Sequence, residues 1–174
     1  MNSHSGSGQP DYGDHDAATL IWAVETAWMA HRPLWQMILG GVFESFPGLR
    51  FVLSEQGCAW VPSTLAQLDM LAMAAASGRT GELKIDSDAL PLAPSEYFRR
   101  NVWIGASFPQ RKDVVAMRKI VLDKVMWGSD YPHHEGVWPH TRAHLRRAFH
   151  DLTPDDLEQV FAKTAADVYG FDLD

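Results

Sequence analysis

The sequence has one cysteine, an excess of acidic over basic residues and no long apolar run. Cys58 is the only cysteine in 174 residues, so no internal disulfide can form. Lys and Arg number 15 against 22 Asp and Glu, which leaves a formal charge of -7 and no basic surface for nucleic acid. No run approaches the ~20 apolar residues of a membrane span. Residues 1–16 are polar and Gly-rich, unlike a secretory signal. We therefore expect a cytoplasmic protein that contacts neither nucleic acid nor membrane.

The hydrophobic content of 46% is sufficient for one solid core, and we predict a single domain over residues 1–174. The sequence also holds 8 His, 7 Trp and 7 Met, several of them beside Gly and Pro. Aromatic side chains in loops often form the wall of a pocket, although Trp and Met also fill cores. No internal repeat or low-complexity tract is evident.

Short apolar runs alternate with amphipathic segments along most of the chain. The predicted strands are an N-terminal one that ends near His4, then residues 49–54, 102–106 and 124–127. The predicted helices are 17–30, 33–46, 60–76, a short one from Pro94, 109–120, 138–150 and a last one that is capped by Thr153 and ended by Gly170. Residues 77–94 are polar and turn-rich. This alternation predicts an α/β fold whose parallel strands are joined by right-handed crossovers.

Three of the predicted strands end in a side chain that can bind metal or move a proton. These are His4, Glu55 and Asp130. In β/α barrels the carboxyl ends of the strands converge on the active site, and His nitrogen with carboxylate oxygen forms the usual ligand set of catalytic Zn²⁺. The spacing therefore predicts one shared metal site. Each residue also has a structural interpretation: a solvated His, a Glu at the top of a helix, and an Asp in a turn.

The segment after Asp130 is rich in side chains suited to contact a substrate. His133 can orient a carboxylate, and Trp138 can stack on a ring. His133, His134 and Glu135 lack the four-residue spacing of a metalloprotease helix, so we interpret them as a loop. A phosphate-binding Gly-rich loop, a Ser nucleophile elbow and a Cys motif are all absent from the sequence, which gives no support to covalent or nucleotide-dependent chemistry.

Three stretches carry a family resemblance: residues 41–50 (GVFESFPGLR), 53–57 (LSEQG) and 126–133 (MWGSDYPH). Together they resemble the amidohydrolase-2 family, whose members include aminocarboxymuconate-semialdehyde decarboxylase and other ring-acid decarboxylases. The resemblance implies a metal-dependent (β/α)8 barrel, of which this chain would be the C-terminal half with strands five to eight.

The resemblance also implies roles for the strand-end residues. Asp130 matches the metal-binding aspartate at the end of the eighth strand, and His4 resembles the metal-binding histidine of the fifth. Glu55 lies where better-known members carry a histidine on the sixth strand. The paired ligands of the family's first strand have no counterpart here. A full barrel needs ~250 residues, so a half-barrel with open sheet edges is expected to form a homo-oligomer or to pair with an N-terminal half.

Three functional hypotheses follow. The first is a mononuclear metal enzyme, with Zn²⁺ as the expected ion, that hydrolyses or non-oxidatively decarboxylates a small carboxylated or aromatic substrate. In it Asp130 and Glu55 are catalytic, Asp130 and His4 bind the metal, and His133 and Trp138 bind the substrate. The second is a catalytically inactive half-barrel that serves as an assembly module. The third is a flavodoxin-like domain, which would have a five-stranded sheet.

Overall fold

The computed structural model of the protein describes residues 1–78, 81 and 89–173. Its strands are β1 (Asn2–His4), β2 (Phe51–Ser54), β3 (Val102–Ser107) and β4 (Val125–Gly128). Its helices are α1 (Ala18–Leu39), α2 (Val42–Ser45), α3 (Val61–Ala76), α4 (Pro94–Asn101), α5 (Arg111–Ile120), α6 (Thr141–Ala148), α7 (Pro154–Glu158) and α8 (Thr164–Tyr169). A 3₁₀ turn (Leu122–Lys124) precedes β4, and a π-helical turn (Gln159–Lys163) joins α7 to α8.

The strands form one parallel sheet in the order β1-β2-β3-β4. His4 lies beside Ser54, Ser54 beside Gly105, and Ser107 beside Gly128, so the carboxyl ends of all four strands meet at one edge. The prediction of parallel strands joined by helices is confirmed. A sequential order of four strands does not match the flavodoxin-like alternative, which requires a fifth strand and a reordered sheet; this comparison covers only the described residues.

Alternating strand residues point to two different faces of the sheet. One face packs under the helices and contains the large buried core. This core includes Phe51, Leu53, Ile104 and Val125 of the strands and Val114 of α5, all fully buried. Near-continuous apolar strands of this kind are typical of a parallel sheet covered by helices.

The opposite face of the sheet is covered by the last helix. Val52, Trp103 and Met126 form a second, smaller cluster there, and Ala165 and Val168 of α8 pack against it. The chain reaches this face through the π-helical turn, where Val160 is buried in the large core. The C-terminal segment therefore contacts the large core through the π-helical turn and the second face of the sheet through α8.

The prediction of two helices divided at Pro33 was wrong, because α1 runs through Pro33 without a break. Proline removes one helix hydrogen bond, and the buried side chains on both sides of it, among them Ala30 and Leu34, hold the helix together. The apolar stripe predicted for residues 17–30 is largely exposed, with Leu20 at 71% and Val24 at 79%. Only from Met29 onward does α1 enter the core.

Other boundaries differ from the prediction by a few residues. The helix predicted over 138–150 begins at Thr141, after Pro139. The last helix is capped as predicted: the Thr153 hydroxyl accepts the N–H of Asp156, and Gly170 ends the helix in a left-handed conformation. Of the predicted turn-rich segment 77–94, residues 79–80 and 82–88 lie outside the described residues. Across the ranges that the structure covers, every helix is too short or too polar to span a bilayer.

Candidate metal centre

The side chains that follow β2 and β4 meet at the carboxyl edge of the sheet. Glu55, Asp130 and His133 each present one ligand atom, and these atoms all lie within 4.8 Å of one another. Nδ1 of His133 donates a hydrogen bond of 2.8 Å to the Asp130 carboxylate, and it lies 4.0 Å from the nearer Glu55 oxygen. Two carboxylates and one imidazole therefore share a small volume.

His4 of β1 lies next to this group, beside Glu55, but is not one of its three members. Its Nδ1 lies 3.4 Å from a Glu55 oxygen and donates a hydrogen bond of 2.8 Å to the carbonyl of Ser5. A histidine that donates from one nitrogen to a backbone carbonyl keeps a lone pair on the other, which is the arrangement found in metal-binding histidines. His4 and Asp130 also line the same small cavity, of about 280 Å³.

Backbone geometry turns these side chains toward the strand ends. Glu55, the first residue after β2, has φ of 57°, and Asp130, just beyond β4, has φ of 53°. Phe108, the first residue after β3, has φ of 51°. The left-handed region is unfavourable for residues other than Gly, Asn and Asp, and such strain concentrates at functional sites. The same backbone conformation follows three neighbouring strands.

The carboxylates of the centre repel one another. The pKa of Glu55 lies above its ordinary value, chiefly because the side chain is partly buried; the Asp130 carboxylate adds to the rise, whereas the imidazoles of His4 and His133 oppose it. A cation would relieve this repulsion, and carboxylate oxygen with imidazole nitrogen is a donor set suited to divalent Zn, Mn or Fe. The residues present therefore fit a divalent metal ion.

The loop after β4 brings in His133 by a compact set of hydrogen bonds. The N–H of His133 donates to the Asp130 carbonyl at 2.8 Å, and the N–H of Gly136 donates to the His133 carbonyl at 3.0 Å. We predicted His133 as a substrate contact, and the structure places its ring beside the carboxylates of Glu55 and Asp130. Its three-residue separation from Asp130 was the signal in the sequence for this proximity.

Trp138 lies apart from the metal centre. Its side chain is 68% exposed, and its ring packs against Tyr131 with the centroids 5.8 Å apart. Neither the small cavity nor the larger cleft described next is lined by Trp138 within the part of the chain that the structure covers.

A larger cleft of about 900 Å³ opens beside the metal centre. Glu55, His133 and Phe108 line one end, and Trp22, His31 and Trp60 are among its other walls. This volume lies within the range of small-molecule sites. Sequence reasoning missed His31 and Trp60, because they belong to different helical segments and carry no motif.

Comparison with solved structures identifies barrels of similar fold. An amidohydrolase of Mycobacterium avium subsp. paratuberculosis K-10 is 25% identical, with a TM-score of 0.67 over 86% of this chain and 35% of that chain. A dihydroxybenzoic acid decarboxylase of Polaromonas sp. JS666, solved with manganese and 2-nitroresorcinol, is 14% identical, with a TM-score of 0.61 over 91% and 47%. A 2,6-dihydroxybenzoate decarboxylase with bound 2,6-dihydroxybenzoate is 16% identical, with a TM-score of 0.61 over 83% and 42%.

This chain spans less than half the length of each of these structures. Its parallel sheet with sequential strand order is consistent with part of a barrel of their type. No curated protein matches the chain. The model of the amidohydrolase family, in contrast, matches residues 3–171, nearly the whole sequence. The chain therefore belongs to the amidohydrolase family.

Proposed function

We propose that this chain supplies the carboxylate and imidazole ligands of a mononuclear metal enzyme that hydrolyses or non-oxidatively decarboxylates a small carboxylated or aromatic substrate. The observation that carries the proposal is the convergence of Glu55, Asp130 and His133 within 4.8 Å at the carboxyl edge of a parallel sheet. Reactive groups of β/α barrels lie at this edge. The left-handed backbone at Glu55 further supports a functional role for that residue.

Family membership and the structural relatives support the substrate class. Two of the relatives are decarboxylases of dihydroxybenzoates, which are small aromatic acids. The cleft beside the metal centre is walled in part by Trp22, Trp60 and Phe108 and has room for an aromatic ring. In the full barrel, β1 to β4 would be the fifth to eighth strands. The alternative of an inactive assembly module has no support from these comparisons.

We assign the metal-binding role to Asp130 and His4, with Glu55 and His133 beside them. A bound divalent cation would act as a Lewis acid that polarises a substrate oxygen or lowers the pKa of a water molecule. Zinc is the ion we expected from the ligand types, whereas the Polaromonas decarboxylase holds manganese. The donor set accommodates both.

The side chains of the chain have distinct tasks in this proposal. The Glu55 carboxyl is placed to hold and release a proton beside the substrate, as a general acid or base. Asp130 fixes the ring of His133 by accepting its Nδ1–H. As an imidazolium, the same ring would also donate from Nε2 to a substrate carboxylate. Trp138 is proposed to contact substrate only if the exposed loop that carries it closes over the cleft.

Association with a second chain is part of the proposal. Within the described residues β1 pairs on one side only, with β2, so its other edge presents unpaired backbone groups. We propose that residues 1–174 form one domain that assembles with a further copy or with an N-terminal half-barrel in the cytoplasm. Light scattering of the purified chain tests assembly with a further copy: a strictly monomeric mass at all concentrations contradicts that form of the proposal.

Manganese titration of the full chain, followed by electron paramagnetic resonance, tests the metal site. Replacement of Asp130 by Ala removes one ligand and the partner of His133, so we expect Mn²⁺ affinity to fall by about 10- to 100-fold. Asp16→Ala, a change at an exposed carboxylate, is the matched control and should bind as the native chain does. Unchanged Mn²⁺ affinity in Asp130→Ala, or retained turnover in the assembled enzyme, would refute the assignment.

A further inference from the structure

The side chains of His31 and Trp60 form a stacked pair in the wall of the large cleft. Their ring centroids are 3.6 Å apart, and the ring planes are inclined by 20°. His31 lies on α1 and is 91% buried, since only 9% of its surface is exposed. Trp60 immediately precedes α3. Both side chains line the cleft that also reaches Glu55.

Each ring carries a buried nitrogen that makes no hydrogen bond. Nε2 of His31 and Nε1 of Trp60 are both buried, and neither has a partner among the described residues. A buried polar group without a partner costs roughly 1–3 kcal/mol, so native proteins rarely leave one unsatisfied. Two such nitrogens on contacting rings in one cleft indicate a place where a polar atom of a ligand binds.

The charge of the surroundings favours a neutral ligand group. Burial lowers the pKa of His31 to about 4, although the side chain of Gln56 raises this pKa by a smaller amount. The imidazole is therefore neutral at pH 7. Three carboxylates, those of Glu55, Asp113 and Glu135, line the same cleft with one amine, that of Lys112. The pair offers no positive charge, and the surrounding carboxylates disfavour an anion at this point.

A hydroxyl group matches the pair chemically. The indole Nε1–H can only donate, whereas a neutral imidazole nitrogen can accept. A hydroxyl group can accept one hydrogen bond at its oxygen and donate its own proton in another, so it combines the two roles that these nitrogens require. The aromatic side chains Trp22 and Phe108 in the same cleft provide contacts for the ring that would bear this hydroxyl.

We propose that His31 and Trp60 form a subsite that binds the hydroxyl group of an aromatic ligand, in the cleft that extends from the metal centre. The oxygen accepts the N–H of Trp60, and the hydroxyl proton is donated to Nε2 of His31. As a substrate-recognition element this subsite rests on the proposed function. Its ability to bind a hydroxylated ring does not require the metal centre.

Nitrogen-15 NMR of the full chain with phenol as the probe tests the subsite. Phenol should shift the indole N–H signal of Trp60 in a saturable way. Toluene is nearly isosteric with phenol but cannot form the hydrogen bonds, and benzoate is an anion. Each should bind at least about fivefold more weakly than phenol, which corresponds to the loss of one net hydrogen bond. An unmoved Trp60 signal, or equal affinity for toluene or benzoate, would overturn the proposal.

Trp60→Phe keeps an aromatic ring, removes the N–H and replaces the bicyclic indole by the smaller phenyl ring. This variant should show a smaller preference for phenol over toluene, because only the hydrogen bond to His31 remains. Trp28→Phe, the same change at an exposed tryptophan that does not line the cleft, should keep the native preference. A preference for phenol that is unchanged in Trp60→Phe contradicts the proposal. If that variant does not fold, the titration of the native chain with phenol, toluene and benzoate still tests the subsite.

The variant Asp130→Ala separates this proposal from the proposed function. Phenol binding that persists in Asp130→Ala, together with lost metal affinity, supports both. If metal affinity is unchanged in Asp130→Ala while phenol still shifts Trp60, the metal-site assignment fails and the subsite stands. If phenol binds nowhere near Trp60, the subsite fails and the metal titration is unaffected.

Discussion

The carboxylate of Asp113 accepts the backbone N–H of Cys58 at 2.8 Å and so ties α5 to the segment that follows Glu55. The same oxygen accepts the N–H of Ala59 at 3.0 Å, and the other oxygen accepts the N–H of Gln110 at 2.9 Å. Asp113 is buried, with 5% of its surface exposed. One side chain thus satisfies three backbone donors next to the metal centre.

Asp113→Asn should destabilise the protein, because the new amide group places N–H against N–H. We expect the free energy of unfolding to fall by about 2 kcal/mol, measured by urea denaturation followed by circular dichroism. Asp16→Asn, at an exposed position, serves as the control. Equal stability of the two variants would show that the Asp113 contacts contribute nothing.

Gly136→Ala should disrupt the loop that carries Asp130 and His133. A Cβ at residue 136 would lie 2.9 Å from the His133 carbonyl oxygen and 3.4 Å from that of Ser129. The backbone of this loop would therefore have to shift. We expect weaker Mn²⁺ binding and a lower unfolding midpoint. The same change at Gly48, where a Cβ meets no atom within 4 Å, is the control. A Gly136→Ala variant that binds Mn²⁺ normally would contradict the proposed role of the loop.

Stability should decline on acidification because of His31. Its folded-state pKa of about 4 lies below the ordinary 6.5, so between these values the unfolded chain takes up a proton that the folded chain excludes. The stabilisation of the folded state by neutral His31 is present in full above pH 6.5 and is lost as the pH falls toward 4. The free energy of unfolding decreases by about 3 kcal/mol in total over this range.

The variant His31→Phe keeps the stack on Trp60 and removes the titrating group. Urea midpoints between pH 7.5 and 4 should therefore vary less in this variant than in the native chain. His15→Phe, at an exposed histidine, should leave the native pH dependence in place. An identical pH dependence in His31→Phe and the native chain would contradict the assignment.

Val121→Gly should stabilise the protein. Val121 follows α5 with φ of 100°, a conformation that is unfavourable for a β-branched residue and readily adopted by glycine. Its side chain is 49% exposed, so little packing is lost. We expect a gain of about 1 kcal/mol in the free energy of unfolding. Val115→Gly, on the surface of α5, should instead lower it.

Much of the fold could be predicted because strands and helices here follow local patterns. The apolar runs before Glu55, Phe108 and Asp130 are bounded by turn residues, and parallel strands necessarily bring their carboxyl ends together. That rule is sufficient to place Glu55 beside Asp130. The catalytic and binding roles assigned to these residues remain predictions.

The remaining features depend on packing between distant segments. The stripe with Leu20 and Val24 has the helical spacing of a buried one, yet both side chains are exposed. The contact of His31 with Trp60 joins residues far apart in the sequence. Pro33 was interpreted as a helix start because its effect on a helix interior depends on the tertiary contacts around it.

The last helix, α8, contacts both the second face of the sheet and the small cavity at the strand ends. Ala165 and Tyr169 form part of the wall of the cavity that holds His4 and Asp130, while Val168 rests on the second face of the sheet. Detachment of this helix would admit water beside both carboxylates and weaken every electrostatic interaction between them and a bound ion. The solvent exposure of the candidate metal centre thus depends on a segment that contributes none of its three side chains.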